Sequence, residues 1–255
     1  LAQWVNYDGH RSLFESRSQN RKGLLMWMSH SCWPSMVWQT YDYYFEPTAA
    51  YFAIKKASEP LHIQWNPATD EVEVVNYSAG THKGLTAKVQ VLNMDASVAW
   101  EKEATVDSNE DTTDKCIKLE FPENLSKVHF IKMTLTEDGK VVSDNFYHRS
   151  LEENNYQDLC QLAKVALQSA TTVDKNADGT WSAVSVIENK TSTPALMIRL
   201  NVVDGKDDQQ ILPVFYSDNY FSLLPGEKKE VRMSWRDEDT RGNEGKVLIT
   251  GYNVE

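Results

Sequence analysis

Several things are scarce or missing in this sequence, and each absence narrows the reading. Only three cysteines occur in 255 residues, Cys32, Cys116 and Cys160. They are far apart and form no Cys-x-x-Cys pair, so a zinc finger or dithiol redox motif is excluded and buried free thiols are the expectation. No run reaches the ~18 apolar residues of a membrane-spanning helix. Lys and Arg form no cluster, and the formal charge is −11 at pH 7, which argues against nucleic acid as a partner because phosphate binding needs concentrated positive charge. The six histidines show no metal-ligand spacing. No Gly-x-Ser-x-Gly elbow, phosphate-binding glycine loop or His-Glu-x-x-His helix is present. No metal and no cofactor are therefore expected.

What remains is a globular composition, 41% apolar and 25% charged. The opening "LAQWVNYDGHRSLFESRSQNRKG" has neither Met nor a signal peptide's charged start and apolar middle. The first residue is expected to be a cut in a longer chain. Residues 1–20 place Leu1, Trp4, Val5, Leu13 and Phe14 among charges, as an amphipathic helix does, and "RKG" ends it with Gly23 at a C-cap position. "LLMWM" from Leu24 is a continuous apolar run, which predicts a strand buried on both faces with Trp27 in the core. The loop "SHSCWPS" follows, and "TAAYFAIKKAS" is helical in composition, with Pro47 in a first-turn position.

From Leu61 the pattern becomes alternating. "LHIQWN", "EVEVVNYS", "LTAKVQVLNM", "KCIKLEF" and "VHFIKMTLTED" read as short strands of a sandwich, and Asp138-Gly139 predicts a tight hairpin. Residues 151–163 interrupt the strands. A second set, "KVALQSATTV", "TWSAVSVIEN", "ALMIRLNVV", "ILPVFYS", "KKEVRMSW" and "KVLITGYNV", is again the size of one immunoglobulin-like sandwich. The fold class is mainly β: two immunoglobulin-like sandwiches after a helix-strand-helix segment. The boundaries are 1–57, 58–150, a linker at 151–163, and 164–255.

Some local signals have ordinary explanations. "DKNADG", Asp174 to Gly179, imitates the start of a calcium loop, but Ser185 stands where the bidentate Glu would be, so a polar hairpin turn is expected. "DSNEDTTD" from Asp107 reads as a solvated loop of repelling carboxylates. Three glycosylation triplets, at Asn76, Asn124 and Asn189, occur often by chance.

One stretch admits two readings, packed core or sugar-binding wall, and Trp27 is expected in the core. Between Trp27 and Phe45 lie seven aromatic residues. Trp33 differs from the rest because it sits in a polar loop and precedes a proline that stiffens the turn. An indole there can stack on the C–H face of a sugar, and His30 and Ser31 can hydrogen-bond hydroxyls.

The residues "GLLMWMSHSCWPSMVWQTYDYYFEPTAAYFAIKKASEPLHIQW" resemble the last strand and helix of the catalytic barrel in glycoside hydrolase family 2, in its exo-β-D-glucosaminidase and β-mannosidase branch. The frame Trp27, Trp33, Pro34, the "WQTYDYY" run and the "KKASEPLH" exit carry that resemblance, and "SDNYFSLLPGE" from Ser217 resembles late strands of the branch's terminal sandwich. The resemblance makes residues 1–57 the C-terminal end of a (β/α)8 barrel: helix seven, strand eight and helix eight. It implies a retaining exo-β-glycosidase acting on β-glucosaminides or β-mannosides, without cofactor. Its catalytic carboxylates would lie on barrel strands four and seven, upstream of Leu1, so no catalytic residue is named here and the chain alone is expected to be inactive. Trp33 carries over as a sugar contact. His30 and Ser31 occupy positions where the branch usually has Asn followed by Asn or Asp, which leaves the substrate preference open. The implied partners are the carbohydrate and the upstream part of the same polypeptide, with self-association as a further expected outcome. A periplasmic or extracellular location follows from the resemblance alone. A noncatalytic β-sandwich carbohydrate-binding or interaction protein is the alternative.

Overall fold

The computed structural model describes residues 1–19, 23–35, 38–77 and 79–255. Arg21 and Lys22, read above as the end of the first helix, and Ser78 of the first glycosylation triplet lie outside the described residues. The chain packs as two compact units. One comprises residues 1–10, 25–53 and 163–255; the other comprises 11–24 and 54–162.

In the second of these units, β1 (Leu61–Asn66), β2 (Glu71–Asn76) and β5 (Thr112–Lys118) form a three-stranded antiparallel sheet. β3 (His82–Asn93), β4 (Val98–Ser108), β6 (Val128–Glu137) and β7 (Lys140–Ser150) form a four-stranded sheet in the order β4-β3-β6-β7. Alternate residues face inward, as a pleated strand requires. Leu85, Ala87, Val89 and Val91 of β3 join Ile131, Met133 and Leu135 of β6 and Val72 and Val74 of β2 in one core. Asp138 and Gly139 both take positive φ, 50° and 75°, and turn β6 into β7 as expected. β4 went unread in the sequence. It is the edge strand beside β3, and its Glu101, Lys102 and Glu103 are exposed, so its charges mask the alternation. Residues 157–161 form a 3-10 helix.

The other unit repeats the plan. β10 (Ala195–Asp204), β12 (Phe221–Leu223) and β14 (Gly245–Thr250) make one sheet. β8 (Gln168–Lys175), β9 (Thr180–Glu188), β11 (Phe215–Tyr216) and β13 (Lys228–Arg236) make the other, in the order β11-β13-β9-β8. Val231, Met233 and Trp235 point inward from β13, and the register sets Trp235 opposite Trp181, where the two indoles stack at 6.4 Å and 5°. The "DKNADG" stretch is the β8–β9 turn. Asp178 Oδ1 accepts from the Thr180 amide at 3.0 Å and its hydroxyl at 2.6 Å, and Gly179 takes φ 81°. Of the three cysteines, Cys32 and Cys160 are exposed, so the expectation of buried thiols fails for both. Cys116 is partly buried, and burial pushes its thiol up to about 12.

Two helices flank these strands, α1 (Ala2–Glu15) and α2 (Ala49–Ala57). The face that α1 buries is not the apolar one read from the sequence. Trp4 and Phe14 are buried, but so are His10, Arg11 and Glu15, while Leu1, Val5 and Leu13 are exposed. The polar residues are buried because they are paired. Glu15 Oε1 accepts from Tyr147 Oη at 2.8 Å, Asn145 Nδ2 at 2.9 Å and His62 Nε2 at 3.1 Å. On the other side of the ring, His62 Nδ1 lies 3.1 Å from Glu59 Oε2, which also accepts from Ser143 Oγ at 2.7 Å. Lys56 reaches Glu59 and Asp144, and the Arg11 guanidinium lies 3.9 Å over the Tyr147 ring. A neutral imidazole carries only one N–H, so the ring can donate to both carboxylates only in its charged form, which the pair of carboxylates favours. Burial opposes that charge, but the hydrogen bonds to Glu15 and Glu59 outweigh it and raise the His62 pKa.

His62 therefore stabilises this unit fully below its unfolded value of about 6.5, and the contribution is lost as pH rises through the higher folded value. His129 acts oppositely. Burial, aided by the Arg149 charge, lowers its pKa, so its contribution is present above about 6.5 and lost as pH falls. Thermal melts of the chain and of His62→Gln across pH 5–9 should show the largest gap between the two proteins at the acid end, narrowing upward. Glu15→Gln should cost roughly 3–5 kcal/mol, because it leaves a buried cation short of its partner. A pH-independent gap would show that His62 is neutral in the fold.

Candidate functional site

Residues 23–48, which hold the aromatic stretch, contain no helix or strand longer than isolated bridges among the described residues. The strand expected at 24–29 is absent, and Trp27 is 81% exposed rather than core. The reason is physical. A strand is stabilised by its neighbours' backbone, and no described residue pairs with 24–28. Apolar continuity alone cannot supply those hydrogen bonds.

Order begins at Ser29. Its carbonyl accepts from the Tyr41 amide at 3.0 Å and the Thr40 hydroxyl at 2.8 Å. Tyr41 pairs with His30 on one side and Pro47 on the other, and the Thr48 amide donates to the Thr40 carbonyl at 2.9 Å. Between them the chain makes a turn organised by Asp42, whose Oδ1 accepts from the amides of Tyr44 at 2.8 Å and Glu46 at 2.9 Å. Phe45 takes the left-handed φ of 68° in this turn. The His30 ring stacks on Phe45 at 4.5 Å and 20°, and its Nε2 lies 3.4 Å from the Tyr43 carbonyl oxygen.

The three residues singled out for sugar contact thus fall in one short segment with different surroundings. Trp33 is 68% exposed. His30 is half-buried on Phe45. Ser31 is buried, its hydroxyl donating to Gln39 Oε1 and accepting from Ser35 at 3.3 Å, so it braces the loop instead of facing solvent. Trp38, Tyr44 and Phe45 are also exposed.

The segment ends at α2. Its first amide, Ala49 N–H, would lack a partner within the helix and donates instead to Gln3 Oε1 at 2.9 Å. Pro47 lies two residues before the helix rather than in its first turn. Phe52 is 1% exposed and packs with Ala49 and Tyr220, edge-on to Tyr216 at 6.3 Å. The Glu46 carboxylate is gripped from β10 and beyond: Arg199 Nη2 bonds Oε1, and Gln210 Nε2 donates to Oε2 at 2.8 Å. Sequence reasoning missed this contact. Glu46 and Arg199 are 153 positions apart, and no local pattern links them. Among the described residues no group of three or more His, Cys, Asp or Glu side chains could hold a metal ion, and no helix is long and apolar enough to cross a membrane.

Residues 145–254 match the family described as the exo-β-D-glucosaminidase Ig-fold domain, and residues 70–150 match the mannosidase Ig/CBM-like domain. The chain is similar to the exo-β-D-glucosaminidase of Streptomyces avermitilis, 31% identical over 99% of this chain and 31% of the relative. It is similar to that of Amycolatopsis orientalis, 32% identical over 99% of this chain and 27% of the relative. Among solved structures it resembles the Amycolatopsis orientalis exo-chitosanase CsxA, with 29% identity, a TM-score of 0.91, and coverage of 99% of this chain and 33% of that one. The chain spans about a third of the length of these relatives.

Substituting the two partners of the aromatic stretch separates packing from exposure. Phe52→Ala should cost roughly 3–5 kcal/mol, as expected for a fully buried ring. Trp27→Ala should stay within about 0.5 kcal/mol of the parent chain, as an exposed position does. Chemical denaturation of both variants of this chain checks the contrast; equal losses would place Trp27 in the core after all.

Proposed function

We propose that this chain, which belongs to glycoside hydrolase family 2 and corresponds to the C-terminal part of such an enzyme, supplies one wall of the sugar pocket of a retaining exo-β-glycosidase acting on β-glucosaminides or β-mannosides. The observation that carries the reading is the exposed indole of Trp33, held in a polar segment beside His30, in a chain similar over 99% of its length to exo-β-D-glucosaminidases. An exposed ring is useful only when something apolar covers it, and the C–H face of a pyranose is such a surface. His30 presents a ring nitrogen for a hydroxyl. Ser31 acts from beneath, through Gln39, by fixing the loop.

Retention requires two carboxyl groups ~5–5.5 Å apart, one attacking the anomeric carbon and one donating then accepting the proton. We place both outside this chain and assign the 255 residues a binding and scaffolding role. In the complete polypeptide, stacking on the reacting sugar counts for rate only as far as it is stronger for the flattened, oxocarbenium-like ring than for the ground state.

Two measurements test this. The chain by itself should not turn over aryl β-glucosaminides or β-mannosides above a denatured control; activity that follows it through several columns overturns the division of labour. In the complete enzyme, Trp33→Ala should lower kcat/KM by about 10–100-fold, with kcat included in the loss, and leave the melting temperature within a few degrees. Unchanged kinetics with a large drop in melting temperature would make Trp33 a packing residue.

A further inference from the structure

We infer that Glu46, Arg199 and Gln210 are positioning residues: a clasp from the second sandwich sets the geometry of His30 and, with it, of the sugar-facing segment. The inference rests on the reading of that segment given above.

The route is short. Glu46 uses both carboxylate oxygens, one for the Arg199 guanidinium and one for the Gln210 amide. Arg199 is a β10 residue, so its backbone is fixed by β14 on one side, with the Arg199–Thr250 pair in register. The two phenols beside it do not compete for its charge. Burial pushes Tyr220 up to about 12 and Tyr216 higher still, so both are neutral at ordinary pH and Glu46 is the carboxylate that answers Arg199. Ion pairs of this kind, half-sheltered and bonded at both oxygens, are directional as well as attractive.

Residue 46 cannot move without residue 45. Phe45 stands at φ 68°, a conformation that non-glycine residues adopt only when their surroundings hold them there. Two restraints do so. Asp42 ties the turn from within, through the amides of Tyr44 and Glu46, and the clasp ties it from outside. Phe45 carries the constraint onward because its ring is the floor on which His30 lies, 4.5 Å away. Tyr41 closes the circuit by pairing with both His30 and Pro47. Glu46, Phe45 and His30 thus form a continuous mechanical path from β10 to the proposed sugar contact, and none of the clasp residues need touch the sugar.

The test is steady-state kinetics and thermal melting in the complete enzyme, using whichever aryl β-glucosaminide or β-mannoside it hydrolyses. Arg199→Met and Glu46→Gln should each raise KM by about tenfold with a smaller change in kcat, the size of one charged hydrogen bond lost from a positioning chain. Arg199→Lys, which keeps the charge but not the planar guanidinium, should recover part of that loss, as should the exchanged pair Glu46→Arg with Arg199→Glu. Gln210→Ala, which removes only the neutral arm, should give a weaker effect in the same direction and serves if Arg199→Met does not fold. His30→Ala and Trp33→Ala are run beside them. If those two weaken kinetics while the clasp variants lower only the melting temperature, the clasp is structural and the inference is overturned. If His30→Ala and Trp33→Ala leave kinetics unchanged, the sugar-contact reading itself falls, and the inference falls with it.

Discussion

The burial of Phe52 against Tyr216 and Tyr220 is the contact on which the aromatic segment depends. α2 is only nine residues long, too short to be stable as an isolated helix in water. It persists because Ala49, Ala50 and Ala53 carry no bulk and are fully buried, and because Phe52, one of the two rings between them, is covered. The residues just ahead of the helix inherit that order. Thr48 donates its hydroxyl to the Gln39 carbonyl at 2.6 Å and its amide to Thr40, Glu46 is held by Arg199 and Gln210, and Tyr41 pairs with His30. Order spreads backward from a hydrophobic anchor to a polar loop and weakens with distance. At Ser29 the ties end, and Leu25 and Trp27 stand exposed.

This gradient gives the crowded rings of residues 27–45 different jobs. Tyr41 is paired through its backbone and its ring lies tilted against Tyr51, 5.4 Å away at 52°. Phe45 is a floor for His30. Trp33 presents its ring outward. A composition count treats them alike; the backbone around each does not.

Much of the fold could be read from alternation, because a sandwich strand buries every second residue and turn residues mark its ends. The Asp138-Gly139 hairpin and both groups of strands are of this kind. Three things could not be read. β4 exposes Glu101, Lys102 and Glu103 on an edge and so loses its pattern. β12 is three residues long and pairs irregularly with β10, too short for periodicity to register. The buried face of α1 carries Arg11 and Glu15, whose partners Tyr147, Asn145 and His62 come from distant strands. The "LLMWM" stretch erred in the other direction: its apolar run is real, but a strand is defined by its neighbours and not by itself. In the candidate site, the exposure of Trp33 was legible from its polar loop and the proline after it. The burial of Ser31 and the grip on Glu46 were not, since both are set by residues that local sequence does not reveal.

Amide hydrogen exchange on the 255-residue chain, read residue by residue from 23 to 53, tests most directly whether the buried Phe52 anchor orders the segment ahead of it. The account predicts slow exchange at Phe52 and Ala53, intermediate protection at Thr48 and Tyr41, whose amides donate to the Thr40 and Ser29 carbonyls, and fast exchange from Leu24 to Met28, with the protection at 41 and 48 lost in Phe52→Ala. Protection at 41 and 48 that survives Phe52→Ala, or uniformly fast exchange from 29 to 48 in the unaltered chain, would contradict it.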